Sequence, residues 1–246
     1  MMIRKEVVDD HDGVRAVIAD AFSEMGGPSE GGGEEIAIVD RLRDAGDLSL
    51  SLVTELGGKI VGHVAFSPVG VCVGKDVADR LLARGGESSD GDDDVLGSEM
   101  MNLPLNKREM LKLSGLYDAD SEGTHLQSEQ GAEVLLPGVG MCLGPLGVRR
   151  DLQRQGLGMA LMMEGLRICK EKGVGFVTVL GDPNYYQRVG FEAASNWQLD
   201  GEFGGGVSDQ EHAGALQVIE LVEGYFERLL QGRGGLIRYA DGFRGS

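Results

Sequence analysis

Residues 139–191 read VGMCLGPLGVRRDLQRQGLGMALMMEGLRICKEKGVGFVTVLGDPNYYQRVGF, and the order of patterns within them decides the fold class. The first ten residues, 139–148, form an apolar strand run interrupted by Gly144-Pro145. Proline cannot donate to a ladder, so pairing on one side must break there. The segment RRDLQRQGLG (149–158) then leads into a helix over Met159–Lys172. It carries Ala160, Leu161, Met162, Met163, Leu166, Ile168 and Cys169 against a polar side of Glu164, Arg167 and Glu171, so it is largely buried. Gly173 is the stop, and GFVTVL (175–180) is a short, fully apolar strand. Strand, glycine loop, helix, strand is a βαβ unit, which makes the two strands parallel neighbours.

Upstream, a helix begins near Asp10 with Val14, Val17, Ile18, Ala21 and Phe22 on one stripe. GGPSEGGG (26–33) is a flexible loop, and Ile36, Val39 and Leu42 mark a second helix ending around Ala45–Gly46. Two strand runs, Ser49–Glu55 and Ile60–Ser67, flank a Gly57-Gly58 hairpin turn. Downstream, the segment 200–246 carries a strand at Ala215–Leu221, a short helix at Gly224–Leu230 and a last strand at Leu236–Tyr239. Between the two halves, residues 74–133 hold fourteen acids against six bases, including GGESSDGDDD (85–94). A stretch this polar cannot bury enough surface to order itself. It reads as an acidic, loosely ordered insertion, with a short helix at Asn106–Tyr117, inside a single domain spanning 1–246. The segment 200–246 is a strand–helix–strand extension of that domain.

The chain has 246 residues, 41 of them glycine, and a net charge of −17. Its length allows one or two domains with a substantial core. The acidic field repels phosphate backbones, which argues against nucleic-acid binding, and it favours a cationic partner. Three scattered cysteines and four histidines without paired spacing leave no metal site or disulfide framework. No signal peptide or membrane span is visible, so a soluble cytoplasmic protein is expected.

The loop Gln153–Gly158 is the most informative local feature. A helix N-terminus presents unpaired N–H groups and the positive end of the helix dipole. Small residues at 156 and 158 let phosphates approach those amides, and Arg154 adds a charge-assisted contact. A tight strand-to-helix turn accounts for the same glycines equally well. Neither GxxxxGK[ST] nor GxGxxG is present, which removes the usual ATP and dinucleotide loops.

Gln153-x-x-Gly156-x-Gly158 resembles the acetyl-CoA loop of the GNAT superfamily of N-acetyltransferases. Leu146-Gly147-Val148 resembles that superfamily's fourth-strand signature, and Tyr186-Gln-Arg-Val-Gly190-Phe191 its Y-x-x-x-G-F motif. GHVAFSPV (62–69), GPLGV (144–148), GLGMALMMEGL (156–166), LGDPNYYQRVGF (180–191) and GLIRYADGF (235–243) are similar to the YhbS-like subfamily. The resemblance covers 1–73 and 134–244 and leaves 74–133 without a counterpart. It implies an α+β fold with a mixed, mostly antiparallel sheet, helices on both faces, and a splay between the fourth and fifth strands that receives acyl-CoA.

The resemblance implies a function and its residues. An N-acetyltransferase moves an acetyl group from acetyl-CoA to a primary amine by direct attack, without a metal. Leu146, Gly147 and Val148 would pair with the pantetheine arm, and the Leu146 N–H would polarise the thioester carbonyl. Arg154, Gln155, Gly156, Leu157, Gly158 and Met159 would hold the pyrophosphate. Tyr186 would protonate the departing thiolate, while Tyr185 packs or forms a substrate wall. Where some relatives carry a base on the fourth strand, this chain has Cys142 and Gly144. Asp182, Glu34, Glu35 and His63 are the alternatives, each with an ordinary structural explanation (a turn cap, a helix N-terminus, a core histidine), and a water chain with no dedicated base is another. Cys142 reads as a core thiol. The acceptor is a small-molecule or protein amine, with a cationic one favoured by charge. The competing function is an acyl-CoA-binding sensor without turnover.

Overall fold

The computed structural model describes residues 1–23, 32–73, 140–209 and 214–243. The insertion at 74–133, its helix at 106–117 and most of the loop at 26–33 therefore lie outside the described residues.

The chain opens with a strand that sequence patterning does not reveal, β1 (Met2–Lys5). A single turn at Val8–Asp10 leads into α1 (His11–Ala21). Asp10 fixes that turn: its carboxylate accepts the Val7 N–H at 2.8 Å and both Arg4 Nη atoms at 2.6 and 2.9 Å. Helix α2 (Gly33–Ala45) ends at Gly46, whose φ of 68° is a left-handed cap. Strands β2 (Leu50–Leu56) and β3 (Lys59–Val73) join through Gly57 and Gly58, at φ 58° and 74°. Two consecutive positive φ values are what a two-residue hairpin turn needs.

The deciding segment folds as its pattern dictates. Strand β4 (Gly140–Val148) feeds α3 (Leu157–Glu171), which returns through β5 (Phe176–Leu180). The short helix α4 (Pro183–Tyr186) follows, then β6 (Glu192–Ala193), β7 (Leu199–Gly201), β8 (Leu216–Glu220), α5 (Tyr225–Leu230) and β9 (Gly235–Tyr239). The sheet order is β1-β2-β3-β4-β5-β8-β6, with β9 on β3 and β7 on β9. Among the described strands only β4/β5 and β7/β9 are parallel, so the sheet is mixed and mostly antiparallel.

Strand alternation sends the core to both faces. Leu50, Leu52, Val64 and Phe66 meet Leu161, Met162 and Leu166 of α3. Their neighbours Val53 and Ala65 meet Val14 and Ile18 of α1 and Val39 of α2. Further along, Cys142, Phe176, Leu216 and Val218 pack on Phe226 and Leu230 of α5. Helix α3 lies close because Gly165 faces the Phe66 ring, where a Cβ would stand 2.3 Å from two ring carbons.

The splay has a visible cause. Val64 pairs with Leu146 and Phe66 with Leu143, so Gly144 and Pro145 together oppose Ala65 alone. That is a β-bulge in β4, and bulges bend a strand and end pairing. Parallel pairing with β5 covers Gly140–Cys142 and stops there. The two strands then diverge, as the resemblance implies.

Candidate functional site

The free edge of β4 points into the splay. The Arg149 N–H donates to the Val61 carbonyl at 2.9 Å. Hydrogen-bonded and non-hydrogen-bonded pairs alternate in an antiparallel ladder. Gly147, opposite His63, is therefore the next residue bonded to β3, while Leu146 and Val148 turn their N–H and C=O groups the other way. On that side β5 has already left. One of these groups is satisfied by a side chain: Gln153 Nε2 donates to the Val148 carbonyl at 3.0 Å.

The loop after β4 forms the second wall. Gly156 caps α3 with φ 85°, and its carbonyl accepts the Ala160 N–H at 2.9 Å. The first-turn amides that follow have no intrahelical partner. Nothing would stand within 4 Å of a Gly156 Cβ, so backbone conformation rather than space requires glycine. Arg154 also sits at positive φ, 61°. A non-glycine residue there costs about 1–2 kcal/mol, the kind of strain found at ligand sites.

Helix α4 supplies the third wall. Asp182 caps it, accepting the Asn184 N–H at 2.9 Å, and Pro183 occupies the first turn. Tyr185 and Tyr186 meet edge-on at a centroid distance of 5.0 Å, and Tyr186 meets Phe191 at 5.8 Å. Two glycines make room for these rings. A Cβ on Gly158 would stand 2.6 Å from the Tyr185 hydroxyl, and one on Gly181 would stand 2.7 Å from Tyr186 Cε2. Burial pushes the Tyr186 phenol above its ordinary range, helped by Tyr185, Cys142 and Asp182. It therefore holds its proton across the physiological range.

These walls enclose a cleft of about 590 Å³. Its lining includes eight of the ten expected site residues: Leu146, Val148, Arg154, Gly156, Leu157, Gly158, Met159 and Tyr186. Gly147 and Gln155 are not among them. Gly147 lies beneath α1, where a Cβ would stand 3.4 Å from that of Ala21, and Gln155 turns its amide to the Asp151 carbonyl at 3.4 Å. The cleft adds Leu152, Gln153, Tyr185 and Arg188. Gln153 stands at the head of the glycine motif, and Arg188 lies within the Tyr186–Phe191 motif. Both were legible as motif positions but not as lining. No acidic side chain and no histidine lines the cleft among the described residues.

The candidate bases sit elsewhere. Asp182 is the exposed cap of α4. Glu34 pairs with Arg41 at 3.3 Å, and Glu35 lies beside it in the first turn of α2. Cys142 is fully enclosed, and burial pushes its thiol up to about 12. His63 is 0 % exposed, on the α1 side of β3. Its Nε2 is 2.9 Å from Ser51 Oγ, and the Ser51 hydroxyl bonds Glu6. Arg43 completes the group at 2.7 Å from Glu6. A serine that donates to a carboxylate must accept from His63, so Nε2 carries the proton. The Nδ1 atom is buried without a partner among the described residues. In a nucleophilic triad the serine proton points to the imidazole instead, so this trio is a structural network. Burial lowers the affinity of His63 for a second proton.

No family model matches the sequence. The chain is 28% identical over 244 residues to YhbS of Escherichia coli K12, an uncharacterized N-acetyltransferase, with 99% of this chain and 98% of the relative covered. The structure superposes on crystalline E. coli YhbS, a GNAT family N-acetyltransferase in complex with CoA, with a TM-score of 0.61 at 25% identity. That match covers 100% of this chain and 93% of YhbS. The fold is that of the GNAT superfamily. A GNAT family acetyltransferase from Brucella melitensis, in complex with acetyl-CoA, shares this fold with a TM-score of 0.56 at 24% identity, covering 99% and 97% of the two chains. Within the GNAT frame, the bulge at Gly144-Pro145 opens the sheet, and α3 and α4 face each other across the opening. Among the described residues no cluster of three or more His, Cys, Asp or Glu is placed to hold a metal. No described helix is long and apolar enough to cross a membrane.

Proposed function

We propose that the protein is an acetyl-CoA-dependent N-acetyltransferase that moves the acetyl group to a primary amine by direct attack in a ternary complex. The observation that carries this is the convergence of an unpaired β4 edge, a glycine-shaped helix start and a phenol on one cleft. An extended pantetheine arm adds to the free edge at Leu146 and Val148 as a further strand would. The Leu146 N–H, which faces away from β3, then polarises the thioester carbonyl as charge develops there. The amides at Leu157–Met159, with Arg154, take the pyrophosphate. E. coli YhbS with CoA and the Brucella protein with acetyl-CoA support this choice of ligand.

Tyr186 protonates the leaving thiolate. A phenol raised by burial stays loaded with its proton; transfer to a thiolate of ordinary pKa near 8.5 is uphill, so the phenol acts by hydrogen-bonding and protonating the sulfur as the C–S bond breaks, and water returns the proton to the phenolate. The acceptor amine gives up its proton to water, because the four candidate bases lie outside the cleft lining. The chain's charge of −17 favours a cationic amine, whether free or on a protein.

Titration of the purified protein with acetyl-CoA, with ATP and NAD as controls, is the first test. Selective micromolar binding is expected, followed by acetyl-CoA-dependent thiol release with at least one member of an amine panel. A folded sample that does not bind acetyl-CoA overturns the proposal. Binding without turnover on any amine replaces it with the sensor reading.

A further inference from the structure

We propose that Arg188 takes the ribose 3′-phosphate of CoA and sets a preference for CoA over 3′-dephospho-CoA, an inference that rests on the CoA-binding reading above. Arg188 lies in the single turn Gln187–Val189 that follows α4, and it is exposed at the cleft. The twelve lining residues include two arginines, Arg154 and Arg188, and no acid. In a chain of net charge −17 that is a local reversal of sign. Among the described residues neither guanidinium has an ion-pair or hydrogen-bond partner, although many of the chain's other arginines are paired. Arg4, Arg15, Arg41, Arg43, Arg149 and Arg167 all hold carboxylates. Unpaired cations gathered on one cavity suit an anionic guest.

The two arginines stand on different walls. Arg154 belongs to the loop before α3, beside the first-turn amides. Arg188 belongs to the α4 side, close enough to Tyr185 for its charge to oppose the rise that burial gives that phenol. The Tyr185 hydroxyl in turn reaches Gly158. Through Tyr185 the wall that carries Arg188 thus meets the start of α3. CoA offers two kinds of phosphate. The amides and Arg154 match the pyrophosphate, which leaves the phosphomonoester without a partner. That group carries between one and two charges near neutral pH and three acceptor oxygens. A planar guanidinium can bind it through two parallel hydrogen bonds.

The test measures the affinity of the intact protein for CoA and for 3′-dephospho-CoA, in wild type, Arg188→Gln, Arg188→Lys and Arg154→Gln, with a thermal melt of each. Wild type should prefer CoA by about 10-fold or more, the size of a charge-assisted contact. Arg188→Gln should remove that preference by weakening CoA alone, with dephospho-CoA unchanged within about 2-fold, and Arg188→Lys should restore part of it. Arg154→Gln should weaken both ligands alike. An Arg188→Gln variant that weakens both equally, or neither, overturns the assignment of Arg188 and leaves the CoA reading intact. Failure of folded wild-type protein to bind either ligand overturns both.

Discussion

Replacing Tyr186 with Phe should separate chemistry from architecture. The ring is held by Tyr185 at 5.0 Å, by Phe191 at 5.8 Å and by the space over Gly181, and Phe keeps all three contacts. The hydroxyl makes no hydrogen bond to any described residue, so its removal orphans no described partner. Stability should therefore change by less than about 0.5 kcal/mol, as for a substitution that breaks no buried network. For an ordered region of this size that is a melting shift of about 1–2 °C. The acetyl-CoA affinity should move by less than about 3-fold. Turnover should fall about 10² to 10⁴-fold, the usual contribution of a general acid, which is about 2.7–5.4 kcal/mol of barrier. The assay is thiol release at saturating acetyl-CoA with the best amine of a panel, alongside the melt and an acetyl-CoA titration. Because burial raises the Tyr186 phenol, wild-type turnover should show no loss from its ionisation below about pH 10. A folded, acetyl-CoA-binding Tyr186→Phe protein whose kcat stays within about 3-fold of wild type refutes the assignment.

Asp182 can be tested as cap against base. Asn caps as well as Asp, so Asp182→Asn should keep turnover within about 3-fold and leave the pH profile unmoved, whereas Asp182→Ala should cost about 1 kcal/mol in a melt. A loss of about 100-fold in Asp182→Asn would make Asp182 the base after all. Gly165→Ala should destabilise the fold despite better helix propensity, because the new methyl meets the Phe66 ring at 2.3 Å. Overpacking of about 1–3 kcal/mol exceeds the roughly 1 kcal/mol helix gain. Pairing it with Phe66→Leu should cost less than the two changes summed, and strict additivity in chemical denaturation would contradict the contact. Acid should unfold the protein through Glu6 and His63. Burial pushes the Glu6 carboxyl up, but hydrogen bonds from His63 and Ser51 and the charge of Arg43 outweigh it and bring it to about 2, below its ordinary 4.5. Its contribution is present above pH 4.5 and is lost as pH falls toward 2. His63, depressed by burial below 6.5, adds a loss that begins below pH 6.5, where the unfolded chain takes up a proton first. Melting temperature should fall steadily below pH 6.5, and Glu6→Gln should melt lower at pH 7 with a shallower slope below pH 4.5. An unchanged slope would remove Glu6 from the account.

Local signals carried far in this chain because they concern single backbone groups. Pro145 cannot donate a hydrogen bond, and the structure places a bulge and the end of β4/β5 pairing beside it. Gly57-Gly58 needs no partner to favour a hairpin turn, and an apolar helix between two apolar strands has one hand in which to fold. Periodicity failed where an element is too short to have a period. Strands β1, β6 and β7 have four, two and three residues, and they exist only because β2, β8 and β9 pair with them. Strand β3 runs past the expected end at Ser67 for a related reason. Pro68 falls between the β2 pairing, which stops at Phe66, and the β9 pairing, which starts at Val69. A proline that would end a doubly paired strand is tolerated at that gap.

The sequence by itself determined the βαβ order, the interrupted fourth strand, the glycine-shaped helix start and the tyrosine motif. Each of these is written in residues a few positions apart. Only the tertiary structure decided which of those residues share a cavity. It turned Leu146 and Val148 toward the free edge and Gly147 away, a matter of ladder register. It spent Asp182 on a cap, Glu34 on Arg41 and His63 on a buried network with Glu6, whose members lie far apart in the chain. It also set Arg188 on the cleft, opposite a loop more than thirty residues away. Side-chain partners at that separation are chosen by packing, and packing leaves no periodic trace in the sequence.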